Sequence, residues 1–286
     1  MSDPRPIGVF DSGVGGLTVL SEILRRSPLE STIYLGDNAR APYGIRSDAE
    51  VRAFSTEALD ALAERDVKVI VVACNTSTAV ALPEFRRRYD LPILGVVRPG
   101  AVTAALTTRN RRVGVIATPA TVRSHAYFAA IKDENPAVEV YEHATPAFVP
   151  LVEAGRLSGP EVEAAVAEGL APLLGERDVR GEFVFPLPAS ARIDTLLLGC
   201  THYPLIRAVI AAVAGEAVAI VDSATATASA LSELLAINGL DAPGTDRVVH
   251  AQLTTGDVDA FRAVARRLFG DTFVDVEAVE LAAVAS

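Results

Sequence analysis

Residues 69–80, VIVVACNTSTAV, carry the reading on which the fold turns. Val69 to Ala73 leave no polar position to face water, so the strand they form is covered on both faces. Such strands belong to parallel sheets with helices packed on either side. Cys74 closes the run, and Asn75, Thr76, Ser77 and Thr78 lead from it into a helix. Residues 195–206, TLLLGCTHYPLI, repeat the plan: an apolar strand, a small residue, Cys200, then small polar residues.

Outward from these stretches, short β-branched runs recur at IGVF (7–10), STIYLGD (31–37), PILGVV (92–97), RVGVIAT (112–118) and AVAIVDS (217–223). Amphipathic segments lie between them, among them LTVLSEILRR (17–26) and PEVEAAVAEGLAPLL (160–174). In residues 47–65, Val51, Phe54, Ala58, Leu59 and Leu62 fall at helical spacing, and Ser47 stands where an N-cap belongs. The alternation predicts an α/β fold of mostly parallel sheets flanked by helices. IGVFDSGVGGLTVL (7–20) is also echoed by VGVIATPATVRSHAYF (113–128). The interval from Thr118 to Cys200 exceeds that from Asp11 to Cys74 by about the length of ERDVRGEFVFPLPASAR (176–192). That stretch is expected to be an exposed loop or hairpin inserted in the second half. Two readings of the echo stay open: true pseudo-symmetry, or the self-similarity common to α/β chains.

Composition narrows the chemistry. The 286 residues are half hydrophobic, enough for one large domain or two small ones and against a disordered chain. With 36 acidic and 26 basic residues, a net charge of −10 and no basic tract, nucleic acid and anionic membrane are excluded as partners. The first residues, MSDPRPIGVFDSG, hold acid and prolines where a secretory signal needs base and a long apolar run. The most apolar tract (208–221) is short and contains Glu216, so a cytoplasmic protein is expected. Two cysteines build neither a disulfide framework nor a four-Cys zinc site, and His125, His143 and His250 lack metal-ligand spacing. The only lysines, Lys68 and Lys132, stand far from the motifs, which disfavours pyridoxal phosphate with its obligatory Schiff-base lysine. No metal and no cofactor are expected.

Both cysteines fall at carboxyl ends of strands, where open α/β sheets bind ligands. A thiol at the start of a following helix has its thiolate stabilised by free N–H groups and the helix dipole. The plain alternative is a small buried hydrophobe; the matched contexts of the only two cysteines favour reactivity. DSGVGG (11–16) offers close backbone approach and helix-start N–H groups for an anion. Its glycines do not fit G-x-G-x-x-G and it has no lysine, so it is neither a dinucleotide nor a Walker signature. Asp11 is a cap or, beside a reactive thiol, a group that orients an ammonium or relays a proton. GDNARAPYG (36–44), with Asp37, Arg40, Pro42, Tyr43 and Gly44, is a plain turn or a ligand loop. His202 is a general base or a helix cap.

Together, DSGVGG, YLGDNARAPYG, ACNTS, IATPATVRSHAY, LVEAG (151–155), GCTHYPL, VDSATATA (221–228) and LTTGDVDAF (253–261) resemble, in this order, the motifs of glutamate racemases. The resemblance runs from Ile7 to about Gly270. It implies two similar α/β lobes related by a pseudo-twofold axis, with the active site in the cleft between them. The first lobe would comprise 1–98 plus 208–286, and the second 99–207, with the insertion near 176–192. The implied activity is cofactor-free interconversion of L- and D-glutamate, supplying D-glutamate for peptidoglycan, in a family whose members are often homodimers of differing arrangement. By the same resemblance Cys74 deprotonates D-glutamate and Cys200 L-glutamate; Asp11 assists Cys74, and His202 with Glu153 assists Cys200. Substrate binding falls to Asp11, Ser12, Tyr43, Gly44, Asn75, Thr76, Thr118, Thr121, Thr201 and His202. Thr78 departs from the small apolar residues common at its position, which leaves the pocket's fine shape open.

The residues agree with this chemistry independently. Racemisation removes the α-proton from one face and returns one to the other, so two acid–base groups must flank the carbon. Near-attack distances of about 3.5 Å on each side put the sulfurs roughly 7 Å apart, too far for a disulfide. Competing readings are a racemase for aspartate, which a pocket tells from glutamate by only about 1–3 kcal/mol, and a related decarboxylase or isomerase. A non-catalytic binding protein on the same fold would need no reactive thiols.

Overall fold

The computed structural model describes residues 2–175, 192–244 and 247–282. The expected insertion therefore lies, apart from Arg192, outside the described residues. The chain opens with β1 (Ile7–Asp11), α1 (Leu17–Arg26), β2 (Thr32–Gly36), α2 (Asp48–Ala63), β3 (Val69–Val72), α3 (Asn75–Arg88) and β4 (Ile93–Gly95). A second series follows: α4 (Val97–Thr107), β5 (Arg112–Ala117), α5 (Pro119–Ser124), α6 (Ala126–Glu134), β6 (Glu139–Ala144), α7 (Phe148–Glu153), α8 (Pro160–Leu174), β7 (Thr195–Gly199), α9 (Arg207–Ala214) and β8 (Ala219–Asp222). The chain closes with α10 (Ser223–Asn238), β9 (His250–Thr254), α11 (Val258–Phe269) and β10 (Val276–Ala278).

Among the described residues all strand pairs are parallel. One sheet has the order β10-β9-β2-β1-β3-β4 and the other β6-β5-β7-β8. The order second, first, third, fourth thus occurs twice, with β9 and β10 added beyond β2. The echo between 7–20 and 113–128 is the shared opening of these two series, and Cys74 and Cys200 each follow the third strand of their own.

The inner strands β1, β3, β5 and β7 are apolar through their centres because each sheet has a core on both faces. Ile7 and Val9 of β1, with Val69 and Val71 of β3, pack under α1 and α10. Phe10, Ile70 and Val72 turn to the opposite core with α2 and α3. In β7, Leu196 and Leu198 face α8 and α9, while Leu197 faces α4 and α6. Each such side chain, fully buried, contributes about 1.5–3 kcal/mol over its exposed state. Helix starts follow the local signals: Ser47 Oγ accepts from Glu50 N at 3.3 Å and Ser47 N donates to Glu50 Oε2 at 3.0 Å, a capping box.

The chain does not leave the second sheet at residue 207. Val209 and Ile210 of α9 pack in the core of the second sheet, and Ile220 of β8 pairs with Leu196 of β7. The second sheet needs this fourth strand to cover β7, so the chain leaves it only after Asp222. α10 then packs Ala224, Ala228, Leu231 and Leu235 on the first sheet. Among the described residues no helix is long and apolar enough to cross a membrane.

Candidate active site

The carboxyl ends of β1, β3, β5 and β7 meet in one cleft. Across it, Thr18 Oγ1 donates to the Thr201 carbonyl at 3.0 Å, Thr76 Oγ1 lies 3.0 Å from Thr118 Oγ1, and Asn75 Nδ2 donates to Tyr127 Oη at 2.7 Å. Both cysteines are free and buried.

On the side of the first sheet, Cys74 is the N-cap of α3: its Sγ accepts from Ser77 N at 3.5 Å, and its thiol is directed at Ser12 Oγ at 3.6 Å. Asp11, at the end of β1, is wholly buried. Its Oδ2 accepts from Gly13 N at 3.1 Å and Gly16 N at 3.0 Å, while its buried Oδ1 accepts from nothing. A buried carboxylate oxygen without a donor is costly and belongs to sites that handle protons or ligands. Burial pushes the Asp11 carboxyl up to about 6, against the His202 charge and the two amides. Burial and the Asp11 charge push the Cys74 thiol up to about 11, so it keeps its proton at neutral pH.

On the side of the second sheet, Cys200 Sγ lies 3.8 Å from His202 Nδ1, and His202 Nε2 lies 3.1 Å from Glu153 Oε1 at the end of α7. Burial disfavours the His202 imidazolium, but its hydrogen bonds to Cys200 and Glu153 prevail and raise it to about 10. The two series touch at Gly15. A Cβ there would stand 2.5 Å from the His202 ring and from Thr201 Oγ1. Gly15→Ala is therefore expected to displace the imidazole and lower kcat/KM about 100-fold, with the circular dichroism spectrum unaltered; kinetics on the purified variant checks this.

Hydroxyls line the cleft where the starts of α3 and α5 face each other. Thr76, Thr118 and Thr121 form a triangle of Oγ1 atoms with sides of 3.0, 3.3 and 3.0 Å. Three hydroxyls have three protons, so an arriving carboxylate can take a donor from the triangle without leaving a buried group stranded. Tyr43 sits apart from this: its hydroxyl donates to Asp37 and its ring packs between Phe10 and Phe54. What that loop brings to the cleft is Gly44, where a Cβ would stand 2.6 Å from Thr118 Cβ. Asp37 also accepts from Arg40 Nε at 2.7 Å and Thr255 Oγ1 at 2.6 Å, anchoring the loop. Sequence reasoning missed Tyr34, whose hydroxyl donates to the Gly13 carbonyl at 2.6 Å, and Tyr127 and Ser223. They lie in quoted motifs or apolar runs, where nothing separates a core tyrosine from one facing the site. Among the described residues no group of three His, Cys, Asp or Glu could hold a metal ion.

Residues 8–231 match the model of the Asp/Glu/Hydantoin racemase family. The glutamate racemase of Shouchella clausii is 46% identical over 91% of this chain and 89% of its own length. The crystal structure of a Bacillus anthracis glutamate racemase isoform superposes with a TM-score of 0.87 at 39% identity, covering 97% of this chain and 98% of that one. The Francisella tularensis glutamate racemase, crystallised with D-glutamate, gives a TM-score of 0.84 at 34% identity over 97% of this chain and 98% of its own. Parallel two-sheet architecture, thiol-ended third strands and nearly full-length identity place this chain in the glutamate racemases of the Asp/Glu/hydantoin racemase family, as a racemase and so an isomerase.

Proposed function

We propose that the protein interconverts L- and D-glutamate by two-base proton transfer at Cα between Cys74 and Cys200, in the cytoplasm, supplying D-glutamate for peptidoglycan. The observation that carries this reading is the matched pair of thiols. Each follows the third strand of its own series, and each has an acid–base partner: Asp11 by Cys74, and His202 with Glu153 by Cys200. With L-glutamate, the Cys200 thiolate takes the α-proton and the Cys74 thiol delivers its own to the opposite face; with D-glutamate the roles reverse. An imidazolium at His202 is the counter-ion for negative charge on Cys200. Asp11, ionised above about 6, is the acceptor that relieves Cys74 of its proton before the reverse reaction. The hydroxyls of Ser12, Thr76, Thr118, Thr121 and Thr201, the Asn75 amide and the Gly44 backbone suit carboxylate recognition with few cationic groups.

Incubation of the metal-free protein with L-glutamate in D₂O tests this by proton NMR and polarimetry. Loss of the α-proton signal with decay of rotation to zero is the expected result. No exchange with either enantiomer would overturn the reading, and exchange with aspartate alone would move it to that substrate.

The pH dependence follows from Asp11 and His202. Below about 6 Asp11 is protonated and cannot accept from Cys74; above about 10 His202 loses its charge. kcat/KM is expected to rise through pH 6 and fall through pH 10, and Asp11→Asn to abolish the acid limb. Stability has the same sign at both groups, because both folded values are raised. The Asp11 contribution is full below its ordinary 3.8 and is lost as pH rises through about 6; that of His202 is full below 6.5 and is lost through about 10. The Tm of Asp11→Asn minus that of the wild type should therefore grow between pH 4 and pH 6.

A further inference from the structure

Tyr127 touches both thiol-bearing strand ends at once. It is fully buried on α6, in the second core. Its hydroxyl accepts from Nδ2 of Asn75, the residue after Cys74, at 2.7 Å, and lies 2.8 Å from Ser223 Oγ at the start of α10. Its ring edge covers Gly199, the residue before Cys200, so closely that a Cβ there would stand 2.9 Å from Tyr127 Cε2. One rigid side chain thus spans from the strand end of one thiol to that of the other. Its phenol proton is free for Ser223, since the oxygen's role toward Asn75 is that of acceptor. Ser223 in turn is held: a Cβ on Gly100 of α4 would stand 2.5 Å from its Oγ. Gly100 and Ser223 lie just beyond the two points where the chain passes between the sheets, so the hydroxyl chain is seated where the two series join.

We propose that Tyr127 is a positioning residue for racemisation: its hydroxyl orients the Asn75 amide for the substrate, and its ring sets the spacing between the strand ends that bear Cys74 and Cys200. The proposal rests on the reading of Asn75 and the two cysteines given under Proposed function. The two parts of the side chain have separate signatures. Tyr127→Phe keeps the ring on Gly199 and releases Asn75. KM for both enantiomers should rise roughly threefold to tenfold, the loss of one neutral hydrogen bond, with kcat little altered. Tyr127→Leu also removes the spacer, and kcat should fall a further 100-fold or so, because a misplacement of about 1 Å at the reacting groups costs that much.

A double-mutant cycle decides whether the hydroxyl acts through Asn75. If it does, Tyr127→Phe combined with Asn75→Ala has the KM of Asn75→Ala alone. Additive effects would overturn the proposal, as would a Tyr127→Phe protein with lowered Tm and wild-type kinetic constants, the signature of a purely structural tyrosine. Should Tyr127→Phe fail to fold, Ser223→Ala frees the same hydroxyl from its far partner; KM should then rise in the same direction by a smaller factor, and an unchanged KM would overturn the hydrogen-bonded chain. The wild type separates the two levels. An inactive wild type sinks the functional reading and this proposal with it, whereas an active wild type with unaltered variants sinks the positioning role only.

Discussion

Cys74→Ser is expected to lower kcat/KM for glutamate racemisation about 10³-fold, and Cys200→Ser by a similar factor, the usual worth of a well-placed acid–base group. The enantiomers have equal free energy, so the loss in kcat/KM must be the same in both directions for any variant. Direction is visible instead in isotope exchange. In Cys74→Ser, Cys200 can still remove the α-proton of L-glutamate and, after trading its proton with solvent, return deuterium to the same face. Slow wash-out of the α-proton of L-glutamate, without inversion and without wash-out from D-glutamate, is the expected spectrum in D₂O. Cys200→Ser should show the converse. Equal wash-out from both enantiomers in either variant would show that a single group serves both faces, contrary to the arrangement in which Cys74 is directed at Ser12 and Cys200 lies beside His202.

The largest expected loss of stability lies at the opposite end of the first sheet. Lys68 and Glu30 are both buried, with Nζ 2.6 Å from Oε2. Lys68 Nζ also donates to the Asp3 carbonyl at 2.8 Å, and Glu30 Oε1 accepts from Ala242 N at 2.8 Å. The pair ties the N-terminal segment and the approaches to β2 and β3 to the connection after α10. Lys68→Met strands the Glu30 carboxylate in the interior, at a cost of about 3–5 kcal/mol. In a chain of this size Tm should fall by on the order of 10 °C. Adding Glu30→Leu removes the stranded charge, and most of the lost Tm should return. Neither change reaches the carboxyl ends of the strands, so kcat/KM of the folded protein should be preserved. A thermal melt of the single and double variants checks the prediction; a single variant as stable as the wild type would refute it.

Legibility differs by element for physical reasons. β1, β3, β5 and β7 are covered on both faces, so their central positions are apolar and readable from local sequence. The helices 17–26 and 160–174 match α1 and α8, because one buried stripe leaves a helical period. β6, β9 and β10 escaped. β6, EVYEHA, is an edge strand with no buried residue; β9 buries Gln252 and Thr254; and β10 has three residues. None carries an apolar run, because their pairing depends on neighbours already in place rather than on their own hydrophobicity.

Local sequence by itself determined the α/β alternation and the apolar strands that end at Cys74 and Cys200. Each follows from which positions must be buried, and burial is written residue by residue. Tertiary structure alone decided that β8 stays with the second sheet, that Tyr43 turns its hydroxyl to Asp37, that Gly15 presses on His202, and that Tyr127 bridges Asn75 and Ser223. These are meetings of distant segments, and a side chain's partner depends on how two packed layers are seated against each other. Hydrophobic patterning specifies that seating only through the whole fold.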